Sequence, residues 1–175
     1  VRINEMIYTN ADGFRDGPFS KEKGPDVRRI AVVGDSITFG WYEMLESTYP
    51  KILESLLNDY CDGGTHYEVY NMAVGGYNAD QELQLIRTRV PDYKPDMVVL
   101  QYSVTDSVVD MDAGLYVHFT RSKFQVVNLL NRIWKLWIQF GPVKDLVERS
   151  YPKLAAWSKE TGIPVLVVIF PAMSC

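Results

Sequence analysis

Length, composition and charge set the first limits on this chain. Of its 175 residues, 47% are hydrophobic and 23% are charged, which is the composition of a globular protein and excludes wholesale disorder. The formal net charge of −4 argues against a nucleic-acid-binding protein, because such proteins carry a basic surface. At this length the chain fits one domain with a sizeable core, and we expect residues 1–175 to form a single domain.

The cysteines and the chain ends further limit the kind of protein that this sequence can encode. Cys61 and Cys175 lie far apart and form no cluster with ligand spacing, so no metal site is predicted. The printed residues show no signal-peptide pattern and no run of about 18 apolar residues that would span a membrane. Because the chain begins with Val1 and its last predicted strand stops near the end, we expect a trimmed N-terminus and a missing C-terminal part. The compartment and the oligomeric state stay open, with an extracytoplasmic location as one alternative.

The elements alternate along the chain after a polar beginning. Residues 1–28 are rich in turn signals and are interpreted as an N-terminal arm laid across the domain. Apolar runs predict four strands, at residues 30–33, 67–74, 97–102 and 165–170. Amphipathic patterns predict two helices, at residues 49–60 and from a cap at residue 78 to about residue 90. We expect Thr48 to cap the first, and Asn78 with Gln81 to form a capping box on the second.

The segment between the third and fourth strands departs from this alternation. We treat residues 103–160 as an insertion and helical region, with a loop at 103–122 and an unusually apolar helix at 124–140. A further helical region runs to Glu160 and is expected to break at Tyr151-Pro152, and Gly162 suits the position after its end. The apolar helix fits a core or lid position better than a membrane surface, because it carries few basic residues.

Strands that alternate with helices predict a parallel sheet with right-handed crossovers. The predicted fold class is therefore α/β: a three-layer α/β/α sandwich with a flavodoxin-like parallel sheet. The four visible strands would be the first of about five, the usual size of such a sheet.

The most informative motif is Gly34-Asp35-Ser36, which follows the first strand. The carboxyl ends of the strands are where open α/β sheets place their active sites, so Ser36 is a candidate nucleophile. The alternative is a serine that only caps the following helix. We expect Asp35 to hold the turn at the binding site rather than to act as a catalytic acid.

Two other strand ends converge on the same edge, and they supply Gly76 and the pair Thr105 and Asp106. The backbone N–H groups of Ser36 and Gly76 are candidate donors to an oxyanion, with the Thr105 hydroxyl as a third. Gly76 also fits a turn that needs a positive φ, which is compatible with that role. The alternative for Thr105 is a β-branched residue that only packs, and Asp106 is assigned to fixing the loop.

In these three blocks the chain resembles the SGNH hydrolases, also called GDSL esterases and lipases. Residues 34–36 match the first block, and Gly76, five residues after Asn71, matches the second. The third block of the family reads Gly-x-Asn-Asp, whereas residues 103–106 read Ser-Val-Thr-Asp, so Thr105 replaces the oxyanion asparagine. The resemblance implies an SGNH-type fold and hydrolysis of an acyl ester through an acyl-enzyme at Ser36, with no metal or organic cofactor.

The fourth block of the family, Asp-x-x-His, is missing from this chain. His66 is expected on the surface at the amino end of the sheet, and His118, in the insertion, is an alternative base. We expect the base to lie beyond residue 175. The leading interpretation is an esterase acting on a small-molecule or glycan acyl ester, of a carbohydrate or a lipid. The alternatives are a non-catalytic carbohydrate- or partner-binding domain and an O-acetyltransferase.

Overall fold

The centre of the fold is a four-stranded parallel sheet. The computed structural model describes residues 7–61, 63–102 and 146–170. The strands are β1 (Val27–Val33), β2 (His66–Asn71), β3 (Met97–Tyr102) and β4 (Val165–Ile169). They lie in the order β2-β1-β3-β4, and each neighbouring pair is parallel. This is the flavodoxin-like order, and it confirms the predicted fold class. A fifth strand stays a prediction.

Four α-helices accompany these strands in the described part of the chain. They are α1 (Ser36–Phe39), α2 (Tyr49–Tyr60), α3 (Ala79–Thr88) and α4 (Leu146–Thr161). Short 3-10 turns at Leu45–Ser47 and Val90–Tyr93 precede α2 and follow α3. The predicted loop at 103–122 and the apolar helix at 124–140 lie outside the described residues. None of the helices within the described ranges is long and apolar enough to cross a membrane.

Successive residues of the strands point to opposite faces of the sheet and build two core clusters. On one face, side chains of β1 and β3 pack with α3 and α4; the members include Ala31, Val33, Val98, Leu100, Ile86, Leu154 and Trp157. On the other face, Val32, Val69 and Val99 pack against residues of α2 such as Leu53 and Leu57. The result is three layers, with α2 on one side of the sheet and α3 and α4 on the other.

The segment before β1 packs through aromatic side chains. Phe14 is fully buried in the larger core cluster. Phe19 stacks on Tyr70 of β2 with ring centroids 4.1 Å apart, and it meets Tyr93 edge-on at 5.5 Å. These contacts hold the residues that precede β1 against the face of the sheet that α3 covers.

Two local predictions are confirmed at helix ends. Asn78 Oδ1 accepts from the Gln81 N–H at 3.1 Å while Gln81 Oε1 accepts from the Asn78 N–H at 3.0 Å, which completes the capping box. Gly162 follows α4 with a φ of +73°, and its N–H donates to the Ser158 carbonyl at 3.0 Å.

Two others are wrong. The helix is not broken at Tyr151-Pro152, because Pro152 lies inside α4. Pro152 and Glu148, whose carbonyl loses its partner, are both exposed, so that carbonyl is left where solvent can reach it. Thr48 stands at the N-cap of α2 but makes no side-chain cap hydrogen bond. Its hydroxyl donates instead to the Leu45 carbonyl at 2.7 Å, in the preceding 3-10 turn.

Candidate active site

The candidate nucleophile lies at the first residue of α1, directly beyond the carboxyl end of β1. Asp35 is the N-cap of this helix, and its carboxylate accepts from the Ile37 N–H at 2.9 Å. The capping function considered for Ser36 therefore belongs to Asp35. Ser36 is half-buried, and its hydroxyl makes no hydrogen bond within the described part of the chain.

A close approach of two strands fixes the turn before Ser36. A Cβ added to Gly34 would lie 2.6 Å from Gln101 Oε1 and closer still to the Thr38 hydroxyl. Only glycine therefore fits between the end of β1 and the side chains of β3 and α1.

A buried polar cluster lies directly under this turn. Gln101, fully buried near the end of β3, accepts through Oε1 from the Asp35 N–H at 3.2 Å and from the Thr38 hydroxyl at 3.0 Å. The Thr38 hydroxyl also lies 2.9 Å from the hydroxyl of Tyr49. Because the Thr38 hydroxyl gives its proton to Gln101, the Tyr49 hydroxyl is the donor to Thr38. Burial raises the pKa of Tyr49 to about 12. The cluster ties three elements to the residue before the nucleophile.

The loop after β2 lies against the nucleophile turn. The Val74 N–H donates to the Gly34 carbonyl at 3.1 Å. The buried Asn71 side chain donates to the Thr38 carbonyl at 3.0 Å and accepts from the Ala73 N–H at 3.2 Å, which joins α1 to this loop. Gly76 follows, exposed, with a φ of +86°. The structure thus brings Ser36 and Gly76 to the same carboxyl edge of the sheet.

The other predicted site residues have different outcomes. Thr105, Asp106 and His118 lie outside the described residues. His66 is the first residue of β2 and is exposed, at the amino edge away from Ser36, as expected. Within the described ranges no histidine lies at the carboxyl edge. In the same ranges, no group of three or more His, Cys, Asp or Glu side chains could hold a metal ion.

Sequence reasoning missed Gln101 and Tyr49 as parts of the site. Gln101 carried a signal, because an uncharged polar residue near the end of an otherwise apolar parallel strand needs a buried partner. Tyr49 carried no such signal, since an aromatic residue at the start of a helix fits ordinary packing.

Fold and site together define an α/β protein of the SGNH type, with a Gly-Asp-Ser turn at the edge of a flavodoxin-like sheet. The model of the GDSL-like Lipase/Acylhydrolase family matches residues 32–171. The match covers most of the chain, and the protein belongs to this family. No curated protein sequence matches the chain.

Two solved structures resemble it in fold. The crystal structure of TesA superposes with a TM-score of 0.53 and 19% sequence identity, over 80% of this chain and 59% of that one. A mutant of the esterase AlinE4 also gives 0.53, with 18% identity, over 83% of this chain and 60% of that one. The present chain thus spans less than two thirds of either protein.

Proposed function

We propose that the protein is a serine esterase that hydrolyses an acyl ester through an acyl-enzyme at Ser36. The observation that carries this proposal is the Ser36 hydroxyl, which has no hydrogen-bond partner among the described residues. Asp35 takes the capping position that a serine at such a turn would fill. The Ser36 hydroxyl is half-buried at the carboxyl edge and makes no hydrogen bond to any described residue. Because no described group holds this hydroxyl, it is available to a base, and a serine nucleophile requires such a base.

Two backbone groups support an oxyanion site beside it. Within the described part of the chain, neither the Ser36 N–H nor the Gly76 N–H donates a hydrogen bond. Both belong to segments that meet through the bond from Val74 to Gly34. Unpaired N–H groups at one edge suit an oxygen that becomes negative during acyl transfer. Thr105 is proposed as the third donor and Asp106 as the residue that fixes its loop.

The proposed reaction has two halves. Ser36 Oγ forms a bond to the ester carbonyl carbon while its proton passes to a base, and the carbon–oxygen bond to the alcohol then breaks as the alcohol takes that proton. Water next attacks the acyl-enzyme, gives its proton to the same base, and releases the acid and the Ser36 hydroxyl. The base is a residue outside the described ones.

A rim of apolar side chains indicates that the acyl group is the part of the substrate that lies next to Ser36. We define this rim as Ile37, Trp41 and Met44, all exposed and within eight positions of the nucleophile. The Trp41 indole lies so close to Gly75 that a Cβ there would be 2.8 Å from Nε1. The rim therefore borders the loops of both Ser36 and Gly76, where an apolar acyl chain would lose contact with water.

A binding domain without catalysis is the second candidate. It is favoured by Thr105 at the position of the oxyanion asparagine and by the lack of an Asp-x-x-His block in the sequence. A serine without a base is a poor nucleophile, so such a domain would keep the fold and lose the reaction.

Labelling with a fluorophosphonate and hydrolysis of p-nitrophenyl esters separate the two candidates. The protein expressed from its natural reading frame should label and turn over, and Ser36→Ala should lose both activities. Ser47→Ala is the matched control, because Ser47 is an exposed serine in the 3-10 turn that follows α1. Labelling and turnover that stay at background in both wild type and Ser36→Ala would favour the binding domain.

A further inference from the structure

Arg15 is almost fully buried, at 1% exposure, and grips the loop that follows α1. Its Nη1 donates to the Phe39 carbonyl at 2.8 Å and also to the carbonyl of Gly40, and its Nη2 donates to the carbonyl of Glu43. Carbonyls at the end of a helix have no partner within it, so the guanidinium completes the end of α1.

Gly40 shows how closely this contact is built. It closes α1 with a φ of +75°, and a Cβ at this position would lie 2.5 Å from Thr48 Cγ2 and 2.9 Å from Arg15 Nη1. The positive φ and the lack of space both require glycine, so the loop packs closely against Thr48 and the arginine.

Asp16, the next residue, binds the end of β2 on the other side of the site. It is 4% exposed, and its carboxylate accepts from the Asn71 N–H at 2.8 Å and from the Gly17 N–H at 2.7 Å. Lys51 Nζ pairs with it at 3.2 Å. A buried carboxylate is tolerated only where such partners are fixed, so Asp16 holds the end of β2 in one place.

The contacts of Arg15 and those of Asp16 are connected through the residues around the site. The Asn71 side chain joins the end of β2 to α1, and the Phe39 ring, with the Arg15 guanidinium 5.7 Å from its centroid, lies 5.0 Å from the ring of Trp41. Trp41 in turn packs on Gly75, the neighbour of Gly76.

We infer that Arg15 and Asp16 are positioning residues, which together set the separation between the Ser36 turn and the loop that carries the Gly76 N–H. The inference rests on the proposed function for its effect on rate, whereas its effect on the two loops does not depend on catalysis. Neither side chain acts on the substrate itself. A displacement of reacting groups by about 1 Å costs on the order of 10²-fold in rate, so a loosened loop is measurable.

The test compares Arg15→Ala with Arg89→Ala, a control that removes the same charge from the same region. Arg89 holds the residues before β1 from outside, through the Asp12 carbonyl at 2.7 Å and the face of Phe14, and contacts neither site loop. In the protein from its natural reading frame, Arg15→Ala should lower kcat for a p-nitrophenyl ester about 10- to 100-fold with KM nearly unchanged. Arg89→Ala should leave kcat close to wild type.

Amide hydrogen exchange gives the readout that is independent of catalysis. Arg15→Ala should speed exchange in residues 34–44 and 72–77 and leave α2 and α3 protected. If the variant does not fold, Arg15→Lys and Asp16→Asn serve in its place, since each keeps part of the hydrogen bonding, and smaller changes at the same two loops are expected.

The outcomes separate this inference from the proposed function. Equal effects of Arg15→Ala and Arg89→Ala, or faster exchange spread evenly over the fold, would overturn it and leave the arginine a general stabiliser. A wild type without Ser36-dependent turnover would refute the esterase, while faster exchange confined to the two loops would still support the positioning role.

Discussion

Replacing Gly34 with alanine tests whether the turn before Ser36 depends on close packing. The added Cβ would lie 2.6 Å from Gln101 Oε1, so either the turn or the Gln101 side chain must move. Inserting a methyl group into a packed site costs about 1–3 kcal/mol. Gln101 accepts from the Asp35 N–H and from the Thr38 hydroxyl, and losing one of these bonds adds about 1 kcal/mol. The sum of about 2–4 kcal/mol lowers Tm by about 4–16 °C in a domain of this size.

Thermal unfolding and ester hydrolysis measure the two consequences of this change. Activity should fall on the order of 10²-fold, because Ser36 moves relative to its partners. Gly17→Ala is the control, since an added Cβ there meets nothing within 4 Å and Gly17 has no positive φ. If Gly34→Ala matched Gly17→Ala in both Tm and activity, the turn would not be packed as described.

Three further predictions concern the rest of the site. Tyr49→Phe should lower the free energy of unfolding by about 1 kcal/mol near pH 7, measured by urea titration. Because burial raises the pKa of Tyr49 to about 12, wild type loses stability as pH rises from 10 to 12, and the gap to Tyr49→Phe should narrow there. Thr105→Asn should raise kcat/KM by at most about 10- to 100-fold, and a fall would assign Thr105 another role. The 175-residue chain should hydrolyse p-nitrophenyl acetate no faster than its Ser36→Ala variant, and turnover that His118→Ala abolishes would make His118 the base.

The elements could be predicted because their signals are local. The capping box of α3 depends on two residues three positions apart, and the parallel sheet on apolar runs separated by helices. The prediction that Thr48 caps α2 is wrong because the local pattern does not decide between two partners. Its hydroxyl has two possible partners, and the 3-10 turn before α2, which the pattern does not show, takes it.

The polar contacts that hold the site could not be predicted, because each joins residues far apart in sequence. Arg15 reaches the carbonyls of Phe39 and Gly40, and Asp16 reaches the backbone of Asn71. In a polar segment rich in turn signals, an arginine and an aspartate are expected to be solvated. Only the packing of Phe14 beside them carries both charges into the interior, where they must find partners.

The strand order limits where the proposed base can approach Ser36. β1 lies between β2 and β3, and the loop after β2 fills one side of the Ser36 turn through the bond from Val74 to Gly34. From below, the turn is closed by Gln101 and Thr38. We therefore expect the base to come from the β3 side. His118 belongs to the connection between β3 and α4, and a histidine after β4 would enter from the same side. The two candidates thus share one approach, so the activity of His118→Ala, rather than topology, decides between them.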